Sequence, residues 1–219
     1  MLLESMRIEG EAIMLIDASS YKNLDMLGIV ESIEDLETAR QVTEEMEMRV
    51  QRVHEVTEEE LDTLLEYLRL IAMQTDITIS VEVNKAEEVS TTLNFNPRSS
   101  KGRKISLHYG EVYLLGRAIN HPDTILCDDE SVFSVNKFLT NICGTNLEIN
   151  RTIEHLHFMF ESETISATDF KRYFDKMVEL GLLHFRFPPK NTKDYAVQDV
   201  LSSFMNKLAE AYNGLYIFK

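Results

Sequence analysis

Cysteines, basic residues and long apolar runs are scarce in this chain of 219 residues. Its two cysteines, Cys127 and Cys143, form no CxxC pair and exclude a disulfide framework, which favours a reduced, cytoplasmic setting. Lysines and arginines number 22 against 37 aspartates and glutamates, so the net charge is −15. Because an acidic surface repels phosphate backbones, this composition argues against a non-specific coat for nucleic acid. It leaves open a nuclease whose carboxylates bind divalent metal.

Membrane segments and several familiar catalytic motifs are also missing from the sequence. No apolar run approaches the roughly 18 residues of a membrane span, and Met1–Glu11 carries too much charge for a secretory signal. The motifs GxxxxGKS/T, HExxH and GxSxG do not occur, which excludes the P-loop, zincin and hydrolase-elbow classes. With 44% hydrophobic and 27% charged residues, the chain has the composition of a folded globular protein. We therefore expect a soluble, cytoplasmic protein without membrane contact.

Two short apolar runs each end at aspartate. Ile13–Ile16 is followed by Asp17, and Thr124–Cys127 is followed by Asp128 and Asp129. Both runs are typical of buried strands, and in a parallel sheet their carboxyl ends would lie at the same edge. Carboxylates gathered there could hold a divalent cation for phosphodiester hydrolysis. For either strand taken alone, the aspartate could equally cap the helix that follows.

The segment between these two strands begins with helical signals. Tyr21–Val30 has apolar residues at helical spacing. Glu31–Gln74 is acidic and predicts mainly helix, with a capping box formed by Thr57 and Glu60. This segment has an apolar stripe, which consists of Leu61, Leu64, Leu65, Leu68 and Ile71. The stripe favours a helical hairpin packed on the core, and the alternative is a pair of helices that binds a partner.

Further along the chain, apolar and polar residues alternate over Ile77–Val83 and predict a strand. Asn84–Val89 is expected to turn or to begin a helix, and Asn94–Lys104 is expected to form a loop. Apolar spacing and capping signals predict three more helices: Gly110–Asn120, Val132–Thr140 and Phe170–Leu180, the last opened by Ser166 with Asp169 and ended by Gly181.

The order of these motifs resembles the PIN-domain nuclease family. The blocks that carry the resemblance are the first strand with its aspartate, the helix Leu24–Gly28, the later acidic helix, Gly110–Glu111, and Ile125–Asp129. The resemblance implies a three-layer α/β/α fold with a central, mostly parallel sheet and extra helices. It divides the chain into a PIN-like domain, 1–149, with a helical insertion near 34–74, and a helical extension, 150–219, that packs on the same domain.

The resemblance also implies a site that binds Mg²⁺ or Mn²⁺ and cleaves single-stranded RNA. Asp17 would be the ligand after the first strand, Glu111 the acid at the start of the middle helix, and Asp129 the late aspartate. Asp128 is its close substitute, because Cys127 and Asp128 stand where the family has a hydroxyl residue before the late aspartate. Ser19 or Ser20 matches a small hydroxyl position that could orient a ligand or water, and simple N-capping explains it equally well.

One further acid is expected near the strand Ile77–Val83. Glu82, Glu87 and Glu88 are the candidates, and we favour Glu87 as the fourth catalytic acid because a helix entering after that strand could present it inward. For the substrate, the basic segment Arg98–Lys104 offers phosphate contacts, and as an alternative it is an ordinary solvated loop. Its cationic side chains are Arg98, Lys101, Arg103 and Lys104.

These observations favour a metal-dependent endoribonuclease, in this family often the toxin of a toxin–antitoxin pair. An antitoxin or another protein partner and a homodimer are further expectations. The main alternative is an inactive PIN-like scaffold that binds RNA or a protein partner, since loss of one ligand would end catalysis. A more distant alternative is DNA binding by Ile165–Phe187, which resembles the recognition end of a winged helix.

Overall fold

The computed structural model of the chain describes residues 13–33, 36–85, 89–95 and 104–182. Outside the described residues lie the candidates Glu87, Glu88, Arg98, Lys101 and Arg103 and the end of the segment Ile165–Phe187. In chain order the strands and helices are β1 (Met14–Ile16), α1 (Ala18–Leu27), β2 (Leu36–Ala39), α2 (Arg40–Thr43), β3 (Arg52–His54), α3 (Glu58–Gln74), β4 (Thr78–Lys85), β5 (Val89–Phe95), β6 (Lys104–Leu107), α4 (Tyr109–Asn120), β7 (Thr124–Leu126), α5 (Glu130–Phe138), β8 (Glu148–Asn150), α6 (Thr152–Glu161) and α7 (Ala167–Leu180).

A five-stranded sheet with the order β3-β2-β1-β7-β8 forms the centre of the fold. All four strand pairs are parallel, and Ile16 at the end of β1 stands opposite Leu126 at the end of β7. Ile16 and Leu126 are fully buried, as expected for strands covered on both faces. Helices flank this sheet, so the predicted α/β fold with a parallel sheet is confirmed and is consistent with a three-layer α/β/α arrangement.

The central sheet has a topological switch point between β1 and β7. From β1 the chain passes to β2 on one side, and it later returns to place β7 on the other side. Asp17 N–H donates a hydrogen bond to the Leu126 carbonyl at 3.0 Å, which holds the carboxyl ends of the two strands together. Open α/β sheets bind their ligands at such a switch point, outside the carboxyl ends of the strands.

The segment 34–74 corrects the prediction of a helical insertion. It contributes β2 and β3 to the central sheet, and its helix is confined to the four residues of α2 and to α3. The strands were not recognised because they are only four and three residues long and include charged positions. Glu37 in β2 is buried in spite of its charge because it pairs with His54 at the end of β3.

Helix α3 begins where the capping signal predicts. The Thr57 side chain accepts a hydrogen bond from Glu60 N–H at 3.2 Å, and the Glu60 carboxylate accepts one from Thr57 N–H at 2.7 Å. This reciprocal pair satisfies two backbone donors that the first helical turn would otherwise leave unpaired. Of the apolar stripe, the fully buried members are Leu64, Leu68 and Ile71.

A second sheet of three strands has the order β5-β4-β6. The alternation over Ile77–Val83 correctly predicts β4, whose residues Ile79, Val81 and Val83 are buried. β4 runs on to Lys85 and pairs antiparallel with β5, so Asn84, Lys85 and Val89 are strand residues and not the start of a helix, while 86–88 lie outside the described residues. β6 pairs parallel with β4 and begins at Lys104, where a loop is predicted. Pairing with β4 holds both β5 and β6 in strand conformation.

The chain divides into two compact units, Met1–Thr152 and Ile153–Lys219. The first contains both sheets and α1 to α5, and in the second α7 begins at the N-cap Ser166 and ends at Gly181, as predicted. Gly181 has a φ of 68°, a left-handed conformation that favours glycine after a helix. Packing of the second unit on the first stays a prediction. No helix in the described ranges has the length and apolar character needed to cross a membrane.

Candidate functional site

Asp17 lies at the centre of the sheet edge, directly after β1. It is the N-cap of α1, and its carboxylate accepts hydrogen bonds from Ser19 N–H at 3.0 Å and from the Ser19 hydroxyl at 2.5 Å. The residue is only 4% exposed, and burial raises its pKa, with the negative charge of Asp129 adding to the rise. Ser19 therefore lies beside Asp17, and its hydroxyl orients the carboxylate that caps the helix.

Glu111 approaches the same edge from the first turn of α4. Its carboxyl accepts hydrogen bonds from His108 N–H at 2.8 Å and from the Ser131 hydroxyl at 3.2 Å. Burial, followed by the charges of Asp129 and Asp17, raises the pKa of Glu111 to about 9. Glu111 therefore carries a proton at neutral pH in the metal-free protein.

Asp129 follows β7 and is the N-cap of α5. Its carboxylate accepts a hydrogen bond from Ser131 N–H at 2.7 Å. Partial burial raises the pKa of Asp129, but its hydrogen bonds with Ser131 and with the Glu111 carboxyl outweigh that effect and leave the pKa below its usual value. Asp129 and Glu111 thus hold one proton between them: Glu111 carries the proton, and Asp129 carries the negative charge.

Glu45, just after α2, is the fourth acid of this cluster. Its carboxylate accepts a hydrogen bond from Gly110 N–H at 2.8 Å. The residue is exposed as a whole, but desolvation of the carboxyl end raises its pKa, and the nearby charge of Asp17 contributes to the rise. Glu45 was not selected from the sequence, although the run Glu44–Glu47 is conspicuously acidic, because the segment was assigned to an inserted helix.

Asp128 does not join the acidic cluster, which corrects its assignment as a metal ligand. It is buried, and its carboxylate accepts hydrogen bonds from Ser20, Asn23 and both the amide and hydroxyl of Thr152, at distances between 2.5 and 3.0 Å. Because these four donors occupy its oxygens, Asp128 ties the end of β7 to α1 and to Thr152, the second residue after β8. Of the two adjacent aspartates, Asp129 is therefore the one that joins the cluster.

His108 lies beside the cluster, whereas His121 and Lys104 lie apart from it. His108 is exposed next to Glu111, and its Nδ1 lies 3.8 Å from Glu82 Oε2. His121 instead contacts Glu60 at 2.8 Å. Lys104 is exposed at the opposite end of β6 from His108, roughly 13 Å away along the strand, so the structure does not bring it to the cluster.

The fold and the site define an α/β protein with four carboxyl groups at the switch point of a parallel sheet. In the described part of the chain, no three His, Cys, Asp or Glu side chains form an arrangement that could hold a metal ion as it stands. Comparisons with protein-family models, with curated proteins and with solved structures give no match.

Proposed function

We propose that this chain is a metal-dependent endoribonuclease that cleaves phosphodiester bonds of single-stranded RNA. The observation that carries the proposal is the convergence of the carboxyl groups of Asp17, Glu45, Glu111 and Asp129, which perturb one another's ionisation. Crowding like charges in a partly buried site raises the free energy of the folded protein. Such groups occur preferentially where they perform chemistry or bind a cation.

By their chemistry these donors suit Mg²⁺ or Mn²⁺, and their side chains would have to draw closer together to share one ion. Both are hard cations that prefer carboxylate oxygen, and Asp17, Glu111 and Asp129 would hold them, with Glu45 as the fourth acid. When bound, such an ion supplies a hydroxide at neutral pH and stabilises negative charge on the phosphoryl group. Glu111 would give up its proton to become a ligand, because a carboxyl must be ionised to bind metal.

The chain's own contribution is to fix the positions of these acids. Asp17 and Asp129 are N-caps of α1 and α5, and Glu111 lies in the first turn of α4. Three helix N-termini therefore meet at the site, and their N–H groups and dipoles favour negative charge. Ser19 and Ser131 hold the carboxylates by hydrogen bonds, which limits the reorganisation needed when a phosphate binds.

The choice of RNA as substrate rests on the resemblance to PIN-domain nucleases. Acids after two neighbouring parallel strands and at the start of the middle helix support that resemblance, and membership of the family is part of the proposal. The role of a toxin, an antitoxin or other protein partner, homodimer formation and a cytoplasmic location belong to the same proposal.

Asp17→Asn is expected to lower the rate of Mn²⁺-dependent RNA cleavage by at least about a hundredfold, because a ligand at the centre of the site is lost. Asparagine caps helices as well as aspartate does, so the fold should persist. The measurement is cleavage of a 5′-labelled single-stranded RNA by the full chain with Mn²⁺, compared with EDTA, and Mn²⁺ binding by calorimetry.

Asp25→Asn is the matched control, because Asp25 is exposed on the same helix and lies outside the cluster. It should cleave RNA at the wild-type rate. If metal binding and cleavage survive the double change of Asp17→Asn and Asp129→Asn, the cluster is not the active site.

Gly110→Ala is expected to lower activity about tenfold by displacing Glu45, and to cost some stability because its Cβ would also lie 3.1 Å from Cγ2 of the buried Val42. A Cβ at Gly110 would lie 2.6 Å from Glu45 Oε1, the mobile end of a side chain, so Glu45 must move. Gly116→Ala is the control on the same helix, because its Cβ would meet only the backbone near Glu60 at 3.4 Å. Equal cleavage rates in the two variants would show that Glu45 does not take part in the active site.

A second candidate function is an inactive scaffold that binds RNA or a protein partner. The shared proton between Glu111 and Asp129 favours it, because that hydrogen bond lowers the repulsion of the cluster without a cation. Calorimetry separates the two functions. An active nuclease should bind Mn²⁺, whereas RNA binding without Mn²⁺ affinity or cleavage would support the scaffold.

A further inference from the structure

Arg151, the residue directly after β8, is a buried cation at the same edge of the sheet as the acidic cluster. Its side chain is only 2% exposed, which is costly for a guanidinium unless it is paired and hydrogen-bonded. Asn150 at the end of β8 stands opposite Leu126 at the end of β7, so Arg151 begins close to the turn between β7 and α5. Its partners lie in that turn.

The guanidinium of Arg151 makes three contacts with the turn and with α5. Nη1 donates a hydrogen bond to the Asp128 carbonyl at 3.3 Å, and Nη2 forms an ion pair with Glu130 Oε1 at 2.8 Å. Cζ lies 4.1 Å from the centre of the Phe133 ring, a cation–π contact. Arginine can combine these contacts because its planar group carries several donors in a fixed fork. One side chain therefore holds the residues on both sides of Asp129.

The peptide group between Asp128 and Asp129 is held at both ends. Its carbonyl accepts the hydrogen bond from Arg151, and its N–H donates to Cys127 Sγ at 3.4 Å. Because a peptide group is planar, these two contacts fix the orientation of the plane that leads into Asp129. On the helical side, Ser131 N–H holds the Asp129 carboxylate at 2.7 Å. Arg151 thus acts on Asp129 through the main chain.

We infer that Arg151 is a positioning residue of the proposed active site, which holds the peptide group before Asp129 so that this carboxylate faces the metal ion. The inference rests on the proposed function and adds to it a residue beyond the acids themselves. Partners that orient the ligands of a metal typically change its affinity or the activity by roughly 10–100-fold when they are mutated. Since Arg151 is buried, its effect is on the metal site and not on contact with RNA.

Arg151→Lys should weaken Mn²⁺ binding about tenfold, because an ammonium keeps the charge but cannot hold the Asp128 carbonyl and Glu130 together. At saturating Mn²⁺, kcat should fall about tenfold, with KM for RNA within about twofold of wild type. Mn²⁺ affinity is measured by calorimetry on the full chain. Cleavage is followed with a 5′-fluorescein-labelled oligouridylate.

Arg117→Lys is the matched control for a loss of stability. Arg117 is also a largely buried arginine, with Nε 3.2 Å from Asp123 Oδ2 and Nη1 3.4 Å from Glu60 Oε1. Asp123 directly precedes β7, so these contacts lie at the opposite edge of the sheet from the acidic cluster. Both arginine variants should lower the urea midpoint of unfolding, but Arg117→Lys should bind Mn²⁺ with wild-type affinity.

Glu130→Gln tests the same ion pair with a milder change, because the Glu130 side chain is half exposed. It should weaken Mn²⁺ binding about threefold in the wild-type chain and have no further effect in Arg151→Met, since its role acts through the guanidinium. An equal loss in both backgrounds would mean that Glu130 acts by its own charge on the ion, which would overturn the inference. If Arg151→Lys does not fold, Glu130→Gln in the wild-type chain decides.

The outcomes separate this inference from the proposed function. If the wild-type chain binds Mn²⁺ and cleaves RNA while Arg151→Lys leaves the Mn²⁺ Kd and kcat within about twofold of wild type, the positioning role is wrong and the nuclease stands. An equal loss of Mn²⁺ affinity in Arg117→Lys would also overturn the inference, because affinity would then follow stability. If the wild-type chain binds no Mn²⁺, both the proposed function and the positioning role fail.

Discussion

Glu111→Gln is expected to stabilise the metal-free protein, and the gain should grow as pH rises. Burial, then the charges of Asp129 and Asp17, raises the pKa of Glu111 from 4.5 to about 9 in the folded state. A raised acid pKa gives stability that is fully present below pH 4.5 and is lost as pH rises through about 9. Glutamine keeps a hydrogen-bonding side chain of the same shape but has no titratable proton.

The wild-type chain should therefore lose about 1.4 kcal/mol of unfolding free energy per pH unit across this window, relative to the variant. The difference reaches about 3 kcal/mol at pH 7 and about 6 kcal/mol at pH 9. The measurement is urea unfolding in EDTA at pH 5, 7 and 9, followed by circular dichroism.

Glu66→Gln is the control, since Glu66 is exposed on α3. Its unfolding free energy should run parallel to that of the wild-type chain. If the unfolding free energy of Glu111→Gln also ran parallel to that of the wild-type chain, Glu111 would not be protonated in the folded protein. With Mn²⁺ added, the proposed function further predicts that the wild-type chain gains stability and that Glu111→Gln gains much less, because a ligand is lost.

Asp128→Ala is expected to lower the free energy of unfolding by about 3–5 kcal/mol, because it removes a buried acceptor from several donors at once. Ser20, Asn23 and Thr152 would all lose their hydrogen bonds to this carboxylate. The cost should appear as a lower urea midpoint with the slope of the transition unchanged.

The neighbouring Asp129→Asn provides the contrast, because asparagine still caps α5. Its stability should stay close to that of the wild-type chain, while RNA cleavage is lost. A stable Asp128→Ala chain with impaired Mn²⁺ binding would reverse the roles assigned to the two aspartates.

Much of the fold is readable from local patterns. The apolar runs that end at Asp17 and Asp128 became β1 and β7, neighbours in a parallel sheet. The reciprocal cap at Thr57 and Glu60 marked the start of α3, and strict alternation marked β4. These signals succeed because they depend on residues close together in sequence, through capping hydrogen bonds and the periodicity of one buried face.

The candidate site was predicted in part. Asp17 and Asp129 are brought to one sheet edge with Glu111 and Ser19, but Glu45 was missed. The reason is that β2 and β3 are too short to show a period, so the segment between them, which carries Glu45, gives only a helical signal. Their strand conformation depends on pairing with distant segments, which no local pattern encodes.

By itself, the sequence determined which segments end in carboxylates and which helices those carboxylates cap. Only the tertiary structure decided between two adjacent aspartates. Asp128 meets donors from α1 and from Thr152, beyond the end of β8, whereas Asp129 faces Glu111. The physical reason is that a carboxylate's role depends on what surrounds it: distant donors make Asp128 a structural acceptor, and neighbouring acids make Asp129 part of a charged site.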